Sequence, residues 1–127
     1  LLASSAASDV YKRQVYYESW GSREGLDEHM GFYGDILWDS FYAASQSPSY
    51  LNRQPYGFLI RGHEIILVSV PDEHTDEYDG QLNLGIALLH FGAVAAQWVG
   101  SVQWQLDGLP ADVELPEGHA IAALCRI

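Results

Sequence analysis

Apolar positions recur between Asp35 and Gln46 at Ile36, Leu37, Phe41, Ala43 and Ala44. Leu37, Phe41 and Ala44 are spaced by four and three, which places them on one face of a helix and predicts a helix over 35–46. Pro48 ends it, because proline lacks a backbone N–H and pushes the preceding residue out of the helical region. A loop from Ser47 to Tyr56 follows. Phe58-Leu59-Ile60 and Glu64 to Val70 are short runs rich in β-branched residues, separated by Arg61-Gly62-His63, and they predict a β-hairpin. Leu82 to Val99 is apolar on nearly all sides and carries Ala87, Ala93, Ala95 and Ala96, so it predicts a helix buried at the centre of a domain or against a partner. Val102, Trp104 and Leu106 alternate with polar neighbours over 101–106 as a strand does, and His119 to Ile127 predicts a final strand.

The remaining stretches do not repeat these periods. Val15 to Gly34 is aromatic and acidic with four glycines, which predicts an irregular lead-in. Pro71 to Gly80 holds five acidic residues and predicts a solvated loop. Residues 1–14 have no positive region ahead of an apolar stretch and so fail as a signal peptide; they read as a non-native leader, with a native chain continuing upstream. The expected domain runs over 35–127. Helix, hairpin, helix and two strands in that order predict an α+β domain.

At 127 residues, 48% apolar and 18% charged, the chain has the composition of one folded domain. Seventeen acidic residues against six basic ones give a net charge of −11, which repels a polyanionic backbone and argues against nucleic acid as a partner. No apolar run approaches the roughly 20 residues that cross a bilayer, so no membrane role is expected. Cys125 is the only cysteine and sits in an apolar run; it predicts a buried, inert thiol, and a cytoplasmic location is expected.

The candidate chemistry lies in Ser47-Pro48-Ser49-Tyr50-Leu51-Asn52-Arg53-Gln54-Pro55-Tyr56. A helix ending in Ala-Ala-Ser-Gln-Ser, then Pro-Ser, two residues, Asn, one residue, Gln-Pro-aromatic and at once a strand resembles the flavin-contacting loop of nitroreductase-like FMN-dependent oxidoreductases. Asp79 to Phe91 is similar to that family's central helix, so the resemblance covers 35–127. It implies a partial nitroreductase-like fold, with a mixed sheet and a central buried helix. It also implies FMN as cofactor, with Pro48, Ser49, Tyr50 and Asn52 against the flavin and Gln54 as a lesser contact. NAD(P)H is then the expected electron donor, and a nitroaromatic, quinone or similar small organic molecule the acceptor. Such a site suits a flat ring with polar edges, since Asn52 both donates and accepts hydrogen bonds.

In that family the flavin lies between two protomers or two homologous halves, so a homodimer or pairing with a missing N-terminal half is expected. The wording of the loop, with His90-Phe91, is closest to the C-terminal half of the single-chain version. The family's arginine-rich phosphate clamp is missing: ahead of Asp35 only Arg23 remains once the leader is set aside. That gap favours an alternative, a non-catalytic half-domain completing a partner's flavin pocket.

Other residues carry less. The histidines at 29, 63, 74, 90 and 119 lack metal-ligand spacing, and His90 reads as a satisfied core or interface histidine. Asp72, Glu73, Asp76, Glu77 and Asp79 lack the order of an EF-hand loop. Trp38 and Trp98 are expected in the core, with Trp20 unassigned. Ser45, Ser47 and Ser49 have no placeable histidine and carboxylate, so no hydrolase triad is expected; the histidine spacing gives no metal site, and the resemblance leaves the chemistry to the flavin with no catalytic side chain.

Overall fold

The computed structural model describes residues 12, 14–33, 35–45, 56–70, 77–100 and 102–127. The elements are β1 (Val15–Tyr17), α1 (Leu26–Gly31), α2 (Asp35–Ser45), β2 (Tyr56–Arg61), β3 (Glu64–Ser69), α3 (Glu77–Val99) and β4 (Ala120–Arg126). The class is α+β: a four-stranded mixed sheet in the order β1-β2-β3-β4, with three helices. β1 runs parallel to β2, and the other pairs are antiparallel.

The β2–β3 hairpin turns at Gly62-His63, and Gly62 has φ +59°, the positive value that the first position of a type II′ turn needs. Phe58 to Ile60 and Ile65 to Val68 are buried in unbroken runs because both faces of the hairpin are covered. On one face Phe58, Ile60, Ile65 and Leu67 join Leu37, Phe41 and Ala44 of α2 and Ala87, Phe91 and Ala95 of α3. On the other, Leu59, Ile66 and Val68 meet Tyr16, Trp20, Leu109, Val113 and Leu115, so the long segment before β4 forms the third layer.

Phe91 centres the helix-side core. It is fully buried, with ring centroids 5.3 Å from Phe41, 5.8 Å from Phe58 and 5.4 Å from Trp104. The Trp104 indole also donates to the Leu88 carbonyl at 3.2 Å, tying the segment after α3 back onto that helix. Cys125 is buried as expected, and burial pushes its thiol up to about 12, which keeps it protonated and unreactive.

Several expectations change. The lead-in is not wholly irregular, since Val15–Tyr17 pairs with β2 and Leu26–Gly31 is helical; Leu26 and Met30, four apart, face the core. Residues 102–106 do not form a strand: Gln105 alone bridges to Leu124, by two backbone hydrogen bonds of 2.7 and 3.0 Å, while the neighbouring Trp104 indole bonds to α3. The second helix starts at Glu77, inside the stretch expected as an acidic loop; 71–76 lie outside the described residues. Among the residues of that helix whose burial is described, Ala87, Phe91 and Ala95 are buried, while Gly85, Leu89, Ala93 and Gln97 are exposed. Trp98 leaves the core as well, 47% exposed, on the side of its helix that carries exposed Gln97, and it packs edge-to-face with Tyr33. Trp38 packs at the margin of the core, and no described helix is long and apolar enough to cross a membrane.

Truncating Phe91 removes contacts to three elements at once. Phe91→Ala is expected to destabilise the protein by about 3–5 kcal/mol, read from the shift in the urea unfolding midpoint.

Candidate functional site

Pro48, Ser49, Tyr50, Asn52 and Gln54 lie outside the described residues, as does His74. What the structure gives is the two ends between which the motif runs. One is the C-terminus of α2, whose last carbonyls have no partner within their own helix. The other is Tyr56, the first residue of β2, buried on the helix side of the sheet.

Side chains from two other elements meet those carbonyls. The Tyr56 hydroxyl donates to the Ala44 carbonyl at 2.7 Å in a buried setting. From α3, His90 Nδ1 lies 3.1 Å from the Ala43 carbonyl. His90 is therefore the satisfied, half-buried histidine that the sequence suggested, acting as a cap on α2. The aromatic packing of Tyr56 on Phe58, at 6.1 Å, holds the phenol in place for its bond. The end of α2 and the start of β2, which flank 46–55 in sequence, are thus tied together by one buried hydrogen bond. The motif marks Tyr56 as an aromatic position; its hydroxyl's task is visible only once α2 and β2 are adjacent.

A cavity of about 230 Å³ opens at the same end of β2, on the opposite face, lined by Gln14, Tyr16, Trp20, Tyr56, Gly57, Val70 and His119. It falls below the roughly 300–1,000 Å³ of ordinary ligand sites. A Cβ on Gly57 would stand 2.6 Å from the Trp20 ring and 3.0 Å from the Gln14 carbonyl, so glycine is required there by Trp20 packing. Trp20 itself sits between Tyr16 at 4.6 Å and His119 at 5.7 Å, a third-layer core position.

Charge around the sheet is largely committed. Arg61 pairs with Asp112 at 3.2 Å and Glu64 at 3.5 Å, and Arg126 reaches Glu64 at 3.2 Å. The Arg61 guanidinium, by its hydrogen bond, holds the Asp112 carboxyl below the usual carboxylate range. Among the described residues no group of three or more His, Cys, Asp or Glu side chains could hold a metal ion.

A second cluster, unmarked in the sequence reading, gathers at the hairpin end of the sheet. His29 of α1 stacks with Tyr17 at 4.8 Å and Tyr33 at 5.3 Å, and the Tyr33 hydroxyl lies 3.2 Å from His63 Nδ1. His29 Nε2 is buried without a hydrogen-bond partner among the described residues. Burial lowers the His29 pKa, the Glu18 carboxylate opposes that shift, and neighbouring His63 adds to it. Tyr33 lies in the turn after α1, so no helical spacing marks the pair, and the available signal was only the aromatic and histidine content of 15–34.

Comparisons with protein-family models, curated proteins and solved structures found no match.

Two outcomes follow from this geometry. Tyr56→Phe keeps the ring but strands the buried Ala44 carbonyl, so a loss of about 1–3 kcal/mol is expected in chemical denaturation. His29 has a folded value below its ordinary 6.5, so the unfolded chain takes up the proton first and stability falls as pH drops through about 6.5 towards the folded value. His29→Phe preserves the stacking and removes the titration; its unfolding midpoint should change less than the wild type's between pH 7.5 and 5.5.

Proposed function

We propose that the chain is the flavin-ring-binding part of an FMN-dependent oxidoreductase of the nitroreductase type. Pro48, Ser49, Tyr50 and Asn52 would lie against the flavin, with Gln54 as a further contact. The observation that supports this most is the fixing of the two elements that flank the motif: the Ala44 carbonyl at the end of α2 is bonded by Tyr56 of β2, and the Ala43 carbonyl by His90. A motif that must present amide and hydroxyl groups to a planar ring profits from anchors tied to the core, because placement errors cost binding energy directly. When bound, FMN supplies the redox chemistry, taking hydride from NAD(P)H and passing it to a nitroaromatic, quinone or similar acceptor. The protein's own residues bind and orient, and none is assigned as nucleophile, acid or base. A cytoplasmic setting belongs to the same proposal.

A second reading is favoured by two specific observations. Arg61 and Arg126 are both engaged by carboxylates, which leaves neither as a ready phosphate clamp. The outer face of α3 presents Gly85, Leu89, Ala93 and Gln97 to solvent, with Leu89 71% exposed. A small-residue stripe with one large apolar side chain suits close packing against another helix. In this reading the chain is a half-domain that completes a flavin pocket with a second protomer or a missing N-terminal half.

Titration of FMN with the purified chain separates the two. Saturable, stoichiometric quenching of flavin fluorescence is expected from the first reading, with Asn52→Ala weakening the affinity about tenfold, the size of one lost polar contact. Quenching that never saturates with the chain alone rejects it in favour of the half-domain.

A further inference from the structure

The hairpin end of the sheet lies away from the flavin motif. Tyr33 stands beside the start of α2 and the motif follows its end in sequence, and at 1.5 Å per residue those two ends of the helix are about 15 Å apart. There a cavity of about 390 Å³ is lined by His29, Phe32, Tyr33 and His63, four rings contributed by α1, the turn after it and the hairpin turn. The size matches a small-molecule site. Phe32 is 86% exposed beside it, a large apolar side chain held in water at the mouth of a ring-lined crevice. No core packing accounts for that placement.

The polar groups are few and directional. The Tyr33 hydroxyl is 3.2 Å from His63 Nδ1. Burial raises the Tyr33 pKa, which keeps the phenol protonated and able to donate to Nδ1. In the tautomer in which the phenol donates to Nδ1, the imidazole proton sits on Nε2 and the ring offers one N–H donor; the proposed site uses that tautomer. Backbone contacts hold His63 on the other side, since the Ile127 N–H donates to its carbonyl at 3.0 Å. The Glu18 carboxylate accepts the adjacent Gly62 N–H at 3.1 Å, which puts a negative charge at the same turn in a chain of net charge −11. An anionic guest is disfavoured there.

We propose that this crevice is a small-molecule site, separate from the flavin motif, for an uncharged planar aromatic compound bearing a carbonyl-type acceptor. Phe32, Tyr33 and His29 supply the ring faces and edges, and His63 Nε2–H supplies the single directional bond. Tyr33 is a positioning residue for His63 as well as a wall.

Benzamide tests the proposal, with cyclohexanecarboxamide sharing its amide but not its flat ring and benzoate adding a charge. Titration of the whole chain, followed by the NMR signals of the His29 and His63 imidazoles, should give saturable shifts with benzamide in the millimolar range typical of so small a ligand. The two comparison compounds should bind at least about fivefold more weakly, as expected for one lost aromatic contact or one unfavourable charge. His63→Ala, at an exposed turn, should weaken benzamide about tenfold, and Asn52→Ala should leave it unchanged, which makes the result independent of the flavin reading. Tyr33→Phe keeps the wall but should move the His63 imidazole nitrogen signals towards a mixed tautomer population, which a purely packing role would not do. Absence of saturable shifts, equal binding of cyclohexanecarboxamide, tighter binding of benzoate, or indifference to His63→Ala each overturns the proposal.

Discussion

Both faces of the β2–β3 hairpin are out of water, and the rest of the chain is arranged around that constraint. Phe58, Leu59 and Ile60 point alternately to the helix side and the loop side, and all three are at most 3% exposed. Residues buried on both sides of a sheet need two covering layers. α2 and α3 form one, and the irregular stretch through Leu109, Val113 and Leu115 forms the other. β1, parallel to β2 at one edge, and β4, antiparallel to β3 at the other, pair with the hairpin's outward backbone groups. Once the hairpin is covered in this way, the positions of α2's end and β2's start are no longer independent.

That dependence is what links the fold to the proposed chemistry. α2 ends over the beginning of β2, so its terminal carbonyls would be buried without intrahelical partners. Tyr56 and His90 meet them from a strand and a helix that the sequence places far apart. A loop joining a helix end to a buried strand start inherits its anchor points from core packing, and core packing changes little under thermal motion. The same fixed frame leads to a different result at the other end of the sheet. There His29, Phe32 and Tyr33 face His63 of the hairpin turn, with the Tyr33 hydroxyl 3.2 Å from His63 Nδ1, and a crevice remains between them.

The parts of this architecture legible in the sequence are those governed by short-range periodicity. Leu37, Phe41 and Ala44 predict α2, and the two β-branched runs around Gly62 predict the hairpin, within a residue or two of the observed bounds. The mixed four-stranded sheet was not legible strand by strand. Val15–Tyr17 is too short for alternation to register and becomes a strand through parallel pairing with β2. Val102, Trp104 and Leu106 alternate as a strand would, yet the indole of Trp104 is spent on α3 and Leu106 is 61% exposed. Trp98 misled for a related reason: apolar periodicity reports what a helix can bury, and does not mark which of its sides is covered. Of the candidate site, the elements that flank the motif are fixed by contacts that no spacing rule encodes, whereas the motif's interior positions fall outside the described residues.

Electrostatics decides how the two readings of the flavin site compare. FMN carries a phosphate, and a chain with a net charge of −11 opposes a dianion unless local cations outweigh the field. Bidentate arginine is the strongest such group, but Arg61 serves Asp112 and Glu64, and Arg126 serves Glu64. Recruiting Arg61 to a phosphate would take the cation from Asp112, and recruiting Arg126 would leave Glu64 with Arg61 alone, so the gain would be offset by weakened pairs at the sheet. The ring-facing and phosphate-facing halves of the proposed site therefore make different demands on this chain. Its motif offers amides, a hydroxyl and a phenol suited to the ring, while the phosphate calls for cations outside the paired arginines of the sheet. An additional protomer or half that brings them would also cover the open face of α3, so one partner would meet both requirements.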